Sequence, residues 1–258
     1  MICLLLLVLS GCTSAALKPD LPESPDRFIE AGGFELGWYH NGASLSGNTL
    51  HVYLGGDGKP LDPESGRPSI DPTPEHALAL QLAALDHNES LFVARPCHYK
   101  PNQANCESSL WSEARYGETV VGVLCKAIEQ LAGGRSISLI GFSGGGALAV
   151  LLSHCLPTVA NVVTVNGNLA TGMWANNRGF MPLSASLDPV AEGLPQHVQG
   201  RLFLVGEKDA IVSPAMSSHF AAAHGGDVLG FKRYGHRCCW LSAWPEILKE
   251  LDSRFSAW

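Results

Sequence analysis

Positive charge is scarce in this sequence. Lys and Arg number 17 against 24 Asp and Glu, giving a formal charge of -7, and charged residues together make up only 16%. A chain of that sign repels polyanions on average, so nucleic acid is not expected as a partner. With 46% hydrophobic residues, the same composition excludes a mainly disordered chain. No apolar run is long enough to span a bilayer; Ile2 to Leu9 falls well short. No CxxC pair or Cys/His spacing suggests zinc, and no metal or organic cofactor is expected. Internal repeats are also missing, and 258 residues fit one large α/β domain.

What the N-terminus does contain is an address. "MICLLLLVLSGC" has the apolar region of a secretory signal, and Leu9-Ser10-Gly11-Cys12 resembles a bacterial lipobox, with Cys12 as the lipidated residue. An ordinary signal peptide or a buried segment is the alternative. The expected organisation is a leader over 1–11, a tether over 12–27 rich in Pro and small residues, and one folded domain over 28–258. The implied location is the bacterial cell envelope, anchored to membrane by lipid and facing periplasm or cell surface.

Of eight cysteines, Cys3 leaves with the leader and Cys12 carries lipid. Cys97, Cys106, Cys125, Cys155, Cys238 and Cys239 remain as disulfide candidates, with 15 possible connectivities. The local Cys97 to Cys106 bridge would staple "CHYKPNQANC" in an oxidising compartment. Cys125 and Cys155 fall on two predicted helices that could be neighbours, and a bond between the adjacent Cys238 and Cys239 would be strained.

Strand-like and helix-like runs alternate along the chain. "FELGWYH" and "LHVYLG", separated by "NGASLSGN", read as an antiparallel hairpin at the sheet edge. Helical periodicity covers Pro74 to Asp86, Glu118 to Leu131 and Gly144 to Cys155, with strands "SLFVA", "SISLIG" and "VANVVTVNG" between and after them. "GRLFLVGEKD" and "DVLGFKRYG" are further strands, "PAMSSHFAAAH" a helix and "LSAWPEILKELDSRF" a closing helix. The pattern predicts an α/β fold: a mostly parallel sheet covered by helices on both faces. Residues 167–199 contain no convincing long helix, and a segment this irregular can cover a substrate site.

Gly141-Phe142-Ser143-Gly144-Gly145 fits G-x-S-x-G with a strand before it and a helix after it. A phosphate loop would need a Lys after the glycines or G-x-G-x-x-G spacing, and neither is present. A serine hydroxyl needs a base and an acid that orients it. Asp209 follows the strand "RLFLVG" and His236 follows the strand "VLGFKRYG", so the order is Ser, Asp, His. Glu207 and Asp188 are fallback acids, and His219, His224 and His197 are weaker bases. Oxyanion donors are expected from the N-H of Gly144 and from the Gly56/Asp57 region of "GGDG".

Together these residues resemble the α/β-hydrolase fold superfamily. The segments "GGDG", "DPTP", "ARPC", "GFSGGGALA", "NGNLA", "SLDP" and "GHRCCW" resemble a group of exported bacterial α/β hydrolases related to esterases and lipases. The resemblance implies Ser143 as nucleophile, His236 as base, Asp209 as orienting acid and a small-molecule or lipid-like ester as substrate. A thioesterase, lipase or peptidase would use the same residues, and a non-catalytic envelope protein would keep the fold alone. The lipase-type HGGG loop is replaced by "GGDG", which sets Asp57 beside the developing negative charge with no role assigned.

Overall fold

The computed structural model describes residues 20–44, 49–256 and 258; the leader over 1–11, Cys12 and the first part of the tether lie outside the described residues. Eight strands form one sheet: β1 (Arg27–Ala31), β2 (Phe34–His40), β3 (Thr49–Leu54), β4 (Ser90–Val93), β5 (Ser136–Phe142), β6 (Val159–Val165), β7 (Gly200–Gly206) and β8 (Asp227–Phe231). Their order across the sheet is β1-β2-β4-β3-β5-β6-β7-β8. All pairings from β4 to β8 are parallel, and β2 alone runs against its neighbours. The central strands read as near-continuous apolar runs because helices cover both of their faces.

An antiparallel pair does stand at the N-terminal edge, but it is not the hairpin of "FELGWYH" with "LHVYLG". β2 folds back on β1 through Gly32 and Gly33, both at positive φ, and pairs on its other side with β4. Burial explains the choice. Every residue of β3 is buried, so it sits between β4 and β5, whereas β1 buries only Ala31 and tolerates the edge.

Helices α2 (Glu118–Ala132) and α3 (Gly144–Leu152) share one core with Phe203 and Phe220, the latter on α6 (Pro214–His224). On the other face, α1 (Leu78–Ala84) and α7 (Trp240–Arg254) pack with Tyr53, Trp240 and Trp244. α3 is buried at all nine positions, which is why it has no polar face and is rich in alanine and glycine. α2 ends at Gly133 in the left-handed conformation, whose N-H donates to Glu129 O at 3.1 Å.

α1 is shorter than the periodicity of residues 74–86 suggests, because Pro74, Glu75 and His76 line a surface cleft instead of extending the helix. Residues 167–199 contain two short helices, α4 (Thr171–Asn177) and α5 (Pro189–Glu192). The six cysteine candidates pair as Cys97–Cys106, Cys125–Cys155 and Cys238–Cys239. Among the described residues, no helix is long and apolar enough to cross a membrane.

Candidate active site

Ser143 occupies the bend between β5 and α3 with φ 54° and ψ -121°, a conformation that L residues rarely adopt and that costs about 1–3 kcal/mol. Main-chain bonds on both sides hold it there. Its N-H donates to Val165 O at 3.0 Å, and its carbonyl accepts from Gly146 N at 2.9 Å and Asn168 N at 3.0 Å. Neighbouring glycines make the bend sterically possible. A Cβ on Gly141 would overlap Gly145 O, and one on Gly145 would overlap Leu54 O.

Two other loops at the same edge of the sheet bring His236 and Asp209 to this serine. His236 Nε2 lies 3.1 Å from Ser143 Oγ, and its Nδ1 lies 2.8 Å from Asp209 Oδ2. The second oxygen of Asp209 accepts from the N-H groups of Ile211 at 2.8 Å and Val212 at 3.0 Å, so the acid is fixed and buried. Phe142 packs against the imidazole with ring centroids 5.0 Å apart.

Asn166, at the end of β6, braces the arrangement. Its amide donates to the carbonyls of Gly235 and His236, both at 3.0 Å, and its oxygen accepts from Gly206 N at 2.7 Å. Sequence reasoning missed this role. The available signal was an Asn-Gly pair at the carboxyl end of a strand, where positive φ is common.

Gly56 lies beside Ser143: an added Cβ would sit 3.3 Å from Ser143 Cβ. Asp57 does not aim an uncompensated charge at the site. Arg95 Nη2 donates to its Oδ1 at 2.7 Å, Arg115 Nη1 to its Oδ2 at 3.2 Å, and Tyr116 OH contacts both oxygens at 2.7 and 2.8 Å. Burial raises the Asp57 pKa, but the two guanidinium groups and these hydrogen bonds outweigh it and hold the carboxyl below its ordinary value. Nearby His98 is depressed to about 3, first by burial and then by Arg95. None of these three partners of Asp57 was given a role from the sequence, since arginines and a tyrosine in loops carry no spacing signal.

Ser143, His236, Gly56 and Asp57 open onto a cleft of about 1180 Å³. Trp174, Phe180 and Met181, from the irregular segment, line it together with Tyr99, Phe142 and Ile211. The fallback groups are elsewhere engaged or exposed. Asp188 caps α5 and accepts from Thr171 N and Gly172 N, His224 bonds Val190 O, and Glu207, His219 and His197 are exposed. No group of His, Cys, Asp and Glu suited to a metal ion occurs among the described residues.

No family model and no curated relative matches the sequence. Solved structures do match in fold. Mouse alpha/beta hydrolase domain-containing protein 10 has a TM-score of 0.60 at 15% identity, over 88% of this chain and 97% of its own. XC6422 from Xanthomonas campestris, described as an α/β serine hydrolase without lid, gives 0.56 at 12% identity, over 92% and 97%. A membrane phospholipase A, described as a bacterial virulence factor, gives 0.59 at 14% identity, over 90% and 85%. The chain has the α/β-hydrolase fold, with helices on both faces of a mostly parallel sheet and an antiparallel N-terminal edge.

Proposed function

We propose that this protein is a serine hydrolase that cleaves carboxylic esters through an acyl-enzyme on Ser143. The observation that carries the reading is the continuous chain from Ser143 Oγ through the imidazole of His236 to Asp209, at 3.1 and 2.8 Å, opening onto the cleft. Ser143 attacks the acyl carbonyl while His236 Nε2 takes the hydroxyl proton, and Asp209 holds the Nδ1-H tautomer and stabilises the imidazolium. His236 then gives that proton to the leaving alcohol. Water, deprotonated by the same nitrogen, releases the acid and regenerates the serine. The oxyanion rests on main-chain N-H groups of Gly144 and of Gly56 or Asp57.

The apolar walls favour the acyl part of a small or lipid-like ester, and the segment over 167–199 forms one side of the binding cleft. The lipobox-like Leu9-Ser10-Gly11-Cys12 supports a lipid anchor in the bacterial envelope, with the residues between Cys12 and the start of β1 at Arg27 as tether. Mass analysis of the mature N-terminus tests the anchor. Reaction with a fluorophosphonate probe tests the chemistry: the folded wild type is labelled and Ser143→Ala is not. A folded wild type that stays unlabelled overturns the enzymatic reading.

A further inference from the structure

We propose that Asp57 is a positioning residue for oxyanion stabilisation, clamped by Arg95, Arg115 and Tyr116 so that the main chain of Gly56 and Asp57 stays fixed against the start of α3. The inference rests on the serine-hydrolase reading and assigns a role that reading leaves open. Its basis is contact on two sides. Gly56 abuts Ser143, and a Cβ on Gly144 would overlap both the Asp57 carboxylate and the Tyr116 hydroxyl. The carboxylate therefore wedges the two loops apart at one separation, and those loops carry the donors on either side of the reacting carbonyl.

The clamp is itself anchored. Arg95 Nη1 donates to Arg115 O at 3.1 Å, Arg115 Nε donates to Ser112 O at 2.6 Å, and the Arg95 guanidinium lies 5.2 Å from the centre of the Tyr116 ring. Tyr116 is fully buried, and Arg95 and Arg115 are 4% and 6% exposed, so none of the three swings freely. Charge supports the same role. Two guanidinium groups face the one carboxylate of Asp57, so its charge is compensated where negative charge develops. A bare Asp57 would oppose the oxyanion; the clamped one does not.

The test compares wild type, Asp57→Asn and Tyr116→Phe, all as the full chain and checked for folding by circular dichroism. The readouts are kcat and KM for p-nitrophenyl butyrate and inhibition by n-butyl trifluoromethyl ketone, whose tetrahedral adduct places an oxyanion in the site. A loosened donor costs less than a deleted one, so kcat falls about 100-fold for Asp57→Asn and about 10-fold for Tyr116→Phe. KM stays within about two-fold, and ketone affinity falls in parallel with kcat. If Asp57→Asn does not fold, Tyr116→Phe decides alone. Unchanged kcat in folded variants, or a fall in kcat without loss of ketone affinity, overturns the proposal while the wild type still reacts with fluorophosphonate. A wild type inert to that probe overturns the serine-hydrolase reading and this proposal together.

Discussion

Asn166 holds the carbonyl of His236 at 3.0 Å with the same amide group that holds Gly235, and its other face grips β7 through Gly206 N at 2.7 Å. The loop bearing the imidazole is thereby tied to the strand that leads to Asp209. Asn166 sits at φ 50°, so its side chain and its backbone conformation are both part of the brace. Replacing it with alanine would mix the loss of the amide with backbone strain.

The cleaner variant is Asn166→Gly, which accepts positive φ and deletes only the amide. Small displacements of a catalytic base are costly, so kcat should fall about 10- to 100-fold with little change in KM. Steady-state kinetics on p-nitrophenyl butyrate checks this, and a kcat equal to wild type would show that the brace is dispensable.

Asp209→Asn should be more severe than its small change in shape suggests. Oδ1 can still accept from Ile211 and Val212, but the amide nitrogen in place of Oδ2 cannot accept from Nδ1-H. The imidazole is then driven to the wrong tautomer, and kcat drops by on the order of 10³ to 10⁴. Retention of more than a tenth of wild-type kcat in the folded variant would contradict the assigned role of this acid.

The Cys97–Cys106 bridge closes the segment that begins two residues after Arg95 and includes His98. Chain-entropy arguments for a loop of this length give about 2–3 kcal/mol of stabilisation. Urea unfolding of Cys97→Ser/Cys106→Ser should show a loss of that order. An unchanged midpoint would mean that the loop is held by its other contacts.

His98 makes stability depend on pH. Its folded pKa of about 3 lies below the ordinary 6.5, because burial and Arg95 disfavour the imidazolium, with Asp57 and Asp71 opposing. Unfolding therefore takes up a proton between those values, and stability falls as pH drops from about 6.5 towards 3, by at most about 1.4 kcal/mol per unit. Asp57 and Asp71, held below their ordinary range, add losses of the same sign only at lower pH. His98→Gln should thus flatten the stability difference measured between pH 7 and pH 5. A slope there identical to wild type would refute the buried neutral imidazole.

Much of this architecture is legible in the chain. The glycines around Ser143, the apolar runs of β5 to β7, and the Asp and His placed after β7 and β8 carry local signals, because sterics and periodicity act within a few residues. Pairing choices at the edge do not. β1 has a weak, mostly exposed pattern, so nothing local shows that it, rather than β3, is the hairpin partner of β2. The clamp on Asp57 is hidden for a related reason. Arg95, Arg115 and Tyr116 lie 38 to 59 positions from it, and ion pairs between loops depend on the tertiary fold alone.

Ser143 and His236 are 93 residues apart, and β8 is the outermost strand on its side of the sheet. The elbow between β5 and α3 lies at the centre of the sheet, whereas the imidazole follows β8 at its edge and is among the last parts of the chain to be synthesised. A chain ending before residue 236 has the serine but lacks the imidazole that pairs with it. On the proposed serine-hydrolase reading, the pair is complete only once the carboxyl-terminal quarter of the polypeptide, with β7 and β8, has docked on the sheet.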